Sequence, residues 1–189
     1  CASVRGSLHD PNQLVRSSDL LIASEREGSG MGILQKIVDV LRDGIAIKSP
    51  VFVTGQIEIP GIGTGAAYAA GDAFGNKFVF KVPKEGTIAN VVFIDKDDEG
   101  LNKELVLFNK DFGQTGDNQA FSPGDPDLHD SIGAVSIETW YDYALNQLGM
   151  ATPALSYVAP EGQLYAQMLT RGADNIAAGA IPRIYLVIV

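Results

Sequence analysis

The chain has 189 residues, 46% of them hydrophobic, and a net charge of −9. That suffices for one well-cored domain and excludes intrinsic disorder. No apolar run approaches the about 20 residues that a membrane-spanning helix needs, and an acidic chain without a basic stripe is repelled by a phosphate backbone. Neither a membrane nor nucleic acid is therefore expected as a partner.

Cys1 is the single cysteine, so no internal disulfide can form. An N-terminal Cys has two chemical readings. It can be the lipid acceptor left by signal cleavage, or a nucleophile whose free amine serves as base. No partner residues accompany it, and the plain reading is that the numbering starts there.

Residues 1–30 are polar and irregular, with a short helix expected around 13–23. Gly28, Gly30 and Gly32 mark a joint. Residues 33–43 read as an amphipathic helix, because Leu34, Ile37, Val38 and Leu41 recur at +3/+4 spacing. Gly44 suits the C-terminal cap. This helix either covers its own sheet or docks on a neighbouring subunit. Residues 1–48 are thus expected to be an arm, and 49–189 a β domain.

Strand-like runs follow at Val51–Ile59, Lys77–Val82, Ile88–Asp95, Glu104–Asn109, Gly133–Glu138, Gln163–Leu169 and Arg183–Val189. Val91–Ile94 and Leu105–Phe108 are apolar at every position, which predicts cover on both faces. The helix at 33–43 or another copy would supply it. Acidic Asp95–Gly100 between them predicts a hairpin connection. Tyr185–Val189 would be hazardous as an open edge, so an interior strand or an oligomer seam is expected.

Asp125-Pro126 predicts an N-cap and one helical turn through Ser131. Trp140, Tyr141 and Tyr143 form either a small core beneath a loop or a protein–protein contact, where Trp and Tyr are enriched.

No catalytic set emerges. Gly61-Ile62-Gly63-Thr64-Gly65-Ala66 matches a dinucleotide-binding turn in letters only. That turn must open a helix, and Gly71 and Gly75 cut the segment short. Asp95–Gly100 imitates the start of an EF-hand loop, but Val106 stands where a bidentate Glu belongs. His9 and His129 are the two histidines, too few with Cys1 for an ordinary zinc site. No metal, cofactor or enzymatic activity is expected.

Ala67-Tyr68-Ala69-Ala70-Gly71-Asp72 with Gly75, then Val91–Asp97, Leu105–Phe108, Asp117–Phe121, Ile132–Ser136 and Leu164–Ala173, occur in an order that resembles small structural proteins of tailed bacteriophages. The likeness covers roughly residues 52–189, and the arm has no counterpart in it. It implies a non-enzymatic virion component, a decoration or cement protein on the outer capsid surface. Its partners would be the major capsid protein and further copies of itself, such as a trimer.

The expected fold is a β-sandwich or jelly-roll-like domain behind an arm with an amphipathic helix. Candidate contact residues are Leu34, Ile37 and Leu41 on the arm, with Trp140, Tyr141 and Tyr143. A tail, head-fibre or baseplate component is the first alternative. A secreted or lipid-anchored carbohydrate-binding sandwich is the second, and an enzyme acting through Cys1 the third.

Overall fold

The computed structural model describes residues 50–63 and 65–189. The arm, its helix at 33–43, and with them Leu34, Ile37 and Leu41, lie outside the described residues.

The described chain is mainly β. Its strands are β1 (Phe52–Val53), β2 (Ile57–Glu58), β3 (Ala73–Lys81), β4 (Glu85–Asp95), β5 (Lys103–Phe108), β6 (Ser131–Ile137), β7 (Thr139–Asp142), β8 (Gln147–Ala151), β9 (Leu155–Val158), β10 (Gln163–Thr170) and β11 (Arg183–Ile188). One short helix, α1, spans Asp125–Leu128.

One sheet runs β1-β11-β4-β8-β7, with β2 also on β11 and β9 also on β4. The other runs β3-β10-β5-β6. All pairings between these strands are antiparallel.

β1 and β2 are two stretches of a single edge. Phe52 and Val53 pair with Ile188 and Val187, while Ile57 and Glu58 pair with Ile184 and Arg183. Thr54 interrupts them: its hydroxyl accepts the Leu186 N–H at 2.9 Å. β8 and β9 likewise line β4 one after the other. Pro153 and Ala154, the latter at φ 48°, break the run between them.

Count each broken pair once and set β7 aside. The first strand then pairs with the last, the second with the seventh, the third with the sixth and the fourth with the fifth. The chain is a long antiparallel ribbon folded over itself.

The two sheets share one core. Ile88, Val91 and Phe93 of β4 and Ile184, Leu186 and Ile188 of β11 belong to the same buried cluster as Phe74, Phe80, Leu105, Leu107, Leu164 and Met168 of the other sheet. Period-2 alternation sends these positions inward.

β4 and β5 stand in different sheets, which corrects the hairpin expected at Asp95–Gly100. Inward residues of both strands, Phe93 and Leu105 among them, belong to one core, and the connection between the strands crosses from one sheet to the other. Asp95 shapes the crossing: its carboxylate accepts the N–H groups of Asp97 at 2.9 Å and of Glu99 and Gly100 at 3.1 Å.

The outer face of β5 is covered by this chain. Val106, Phe108 and Leu169 lie under Phe112, flanked by Phe121 and Tyr165. Phe112 stacks on Phe108 with ring centroids 4.0 Å apart. The loop after β5 thus covers that face, a task assigned above to the arm helix or a second copy.

Two smaller expectations are corrected. Gly124, not Asp125, is the N-cap of α1, and its extended backbone (φ −66°, ψ 149°) starts the turn without a side-chain cap. β7, β8 and β9 were not anticipated from sequence. They are short and mixed in polarity because one face of each is partly wet.

Tyr157 is 4% exposed, and its hydroxyl has no hydrogen-bond partner. Burial pushes its pKa up to about 12 from 10.0. The folded state therefore holds the phenol neutral, so stability is unaffected below about pH 10 and is lost as pH rises through about 12. Tyr157→Phe is expected to match or exceed the wild type by up to about 1 kcal/mol at neutral pH. It should also flatten the alkaline loss in urea titrations run across that pH range.

Candidate interaction surface

Alternation that turns Val91 and Phe93 into the core turns Val92 and Ile94 outward. Cross-strand register then sets rows on the outer face of the β11–β4–β8 sheet. Arg183, Ile94, Leu148 and Tyr141 form one row, and Tyr185, Val92, Met150 and Thr139 the next. Val53 and Val187 begin a third.

The result is an apolar band of Ile94, Leu148, Val92 and Met150, with Tyr141 and Tyr185 at its sides. Val92 is buried, while the others keep partial or full access to solvent. Its rim is charged where β2 meets β11. Arg183 bonds Glu58, and Lys96 lies 3.5 Å from the same carboxylate. The Arg183 guanidinium, then Lys96, holds the Glu58 carboxyl below its usual range. About half exposed, this pair contributes little stability and instead marks the edge of the band.

The sequence-predicted aromatics separate. Trp140 turns inward, packs on the core and meets Phe93 edge-on at 5.8 Å. Gly149 is what lets it in, since a Cβ there would lie 2.9 Å from the indole. Tyr141, on the opposite face, is 48% exposed. Tyr143 is 59% exposed at the tip of the β7–β8 hairpin. There its N–H bonds the Asn146 carbonyl at 3.0 Å, and Asp142 accepts the Ala144 N–H at 2.9 Å. Both tyrosines are exposed, and Trp140 packs on the interior.

The glycine-rich loop has a different purpose from the one its letters suggest. Asp117 accepts the N–H groups of Gly63 at 2.8 Å and Gly75 at 2.7 Å, and the Tyr68 hydroxyl at 2.8 Å. Within the turn at 61–66, the Gly63 amide holds this chain's own carboxylate and the Gly65 amide bonds the Ile176 carbonyl, so neither is left for a phosphate. Gly75 is required, with φ +80° and a Cβ that would fall 2.6 Å from Ile59 and 2.8 Å from the Pro60 carbonyl. Burial, then Asp117, drives the Tyr68 phenol well above its usual range. Sequence inspection missed this clamp because 42 and 54 residues separate its halves.

His129 is exposed at the end of α1. Among the described residues, no group of three or more His, Cys, Asp or Glu is placed to hold a metal ion. An open depression of about 420 Å³ lies between β6 and β8, lined by Val135, Glu138, Met150 and Pro153 among others. Glu138 is its sole ionisable lining residue, beside the hydroxyl residues Ser136, Thr139 and Thr152. No protein family, no curated protein and no solved structure matches the chain.

Asp117→Ala should lower stability by about 2–4 kcal/mol, since three donors lose a charged acceptor at once. Urea denaturation of the variant beside the wild type measures it. A change below about 0.5 kcal/mol would deny the clamp.

Proposed function

We propose that this chain is a non-enzymatic structural protein of a phage virion, and that it binds and reinforces the outer surface of the capsid lattice. We read its fold as a jelly-roll sandwich. The nested pairing of first strand with last, through to fourth with fifth, supports that topology. Jelly rolls serve viral shells and lectins alike, so topology alone does not choose the function.

The outer band of the β11–β4–β8 sheet carries the choice. A sheet with one face in the core ordinarily presents polar residues on the other. Here Ile94, Leu148, Val92 and Met150 stand side by side on that second face. Repeated subunit contacts would cover it, with the Glu58–Arg183–Lys96 cluster at the rim. A standard interface buries about 1,600 Å² in total, and many weak contacts over a shell would add through avidity. The charge of −9 suits an outer surface better than a DNA-lined interior. The resemblance in the order of short sequence stretches points the same way.

Quantitative mass spectrometry of purified particles is expected to find hundreds of copies per virion, removable without opening the head. A few copies per particle would replace the capsid role with a tail or baseplate role. Tyr141→Glu should leave monomer stability within about 0.5 kcal/mol and lower capsid occupancy at least about tenfold. Unchanged occupancy would move the contact surface elsewhere.

A further inference from the structure

We propose that Lys103 and Asp174 join covalently, forming an intramolecular isopeptide bond with loss of one water.

Lys103 opens β5, and Asp174 follows β10, its neighbour in the sheet. Both side chains are sealed from solvent, 1% and 0% exposed. The Lys103 Nζ lies 2.6 Å from Asp174 Oδ1. Three rings surround the amine, with centroids at 5.1 Å for Phe74, 5.5 Å for Trp140 and 5.9 Å for Phe93. Its other hydrogen-bond partner is the Leu101 carbonyl at 2.6 Å. Thr170 donates its hydroxyl to Asp174 Oδ2.

A buried ion pair of this kind is a poor resting state. Desolvation penalises both charges, and neutralisation relieves it. Burial lowers the Lys103 ammonium pKa despite the opposing carboxylates of Asp174, Asp95 and Glu99. A neutral lysine amine in an apolar site is a nucleophile, and water is excluded as a competitor.

The step balances without a co-reactant. A proton passes from Nζ to Oδ1, giving amine and carboxylic acid. The amine lone pair attacks Cγ, and the oxyanion forming at Oδ2 keeps the Thr170 hydrogen bond. The nitrogen then releases a second proton to the departing Oδ1 hydroxyl, the C–O bond breaks and water leaves. Glu99, whose N–H bonds Asp95 at 3.1 Å in the loop leading to Lys103, is assigned to relay that second proton from the nitrogen to the departing hydroxyl. Burial first, then the Asp174 charge, raises its carboxyl pKa.

The product would tie β5 to the segment after β10 in a chain with no second cysteine for a disulfide. It is independent of the virion reading.

Intact mass of the purified full-length protein tests it. The wild type is expected to be lighter than its sequence by one water, about 18 Da. Trypsin should release residues 97–110 and 172–183 as one branched peptide that tandem fragmentation resolves at Lys103 and Asp174. Lys103→Arg and Asp174→Ala should each show the full sequence mass, and Glu99→Gln should retain the lost water's mass. A wild type at full mass with Lys103 acetylated after denaturation would overturn the proposal. So would a water loss that maps to a succinimide at Asp43-Gly44, or one that survives in Lys103→Arg.

Discussion

A strand that is apolar at every position has two faces to hide, and this constraint shapes the rest of the fold. β4 and β5 both carry it, through Val91–Ile94 and Leu105–Phe108. Their inward residues meet in one shared core. The remaining faces are treated differently. Phe112 and Phe121 fold back over β5 from the following loop, whereas the outer face of β4 is flanked by Tyr185, Met150 and Leu148 and stays partly open. The same requirement is satisfied within the domain on one sheet and only in part on the other.

Carboxylates that look chemical in the sequence are used to hold backbone. Asp95 gathers three amide donors at the crossing between sheets, and Asp117 gathers two amides and a phenol around the glycine-rich loop. Asp95 gives to amides the oxygens that a cation would need, and Asp117 takes amide donors that a phosphate would need. The letters of an EF-hand or a dinucleotide turn therefore arise here from loop construction. Asp174 differs: it receives a lysine amine in a dry aromatic enclosure, where covalent chemistry competes with mere ion pairing.

Seven strand runs were readable because continuous or alternating apolar residues are a local signal. Their ends moved by a few residues, and Val51–Ile59 split where the Thr54 hydroxyl bonds Leu186. Sheet membership was not readable, since it depends on pairings across the whole ribbon, such as Phe52 with Ile188. The aromatic trio shows a sharper lesson. Trp140 and Tyr141 adjoin in sequence, yet a strand sends neighbours to opposite faces. Applying that rule to 139–142 would have separated the core residue from the surface residue. The Lys103–Asp174 pair, 71 residues apart, leaves no local trace at all.

The account stands on the outer face of the β11–β4–β8 sheet being covered by other subunits. Oxidative footprinting across a dilution series of the full-length protein reads this directly, with fully buried Met168 as an internal control. Met150, Tyr141 and Tyr185 should be protected at high concentration and become oxidised on dilution, while Met168 stays protected throughout. Oxidation of Met150 and both tyrosines at one unchanging rate, in a particle that keeps a mass of 20.1 kDa at every concentration, would contradict it.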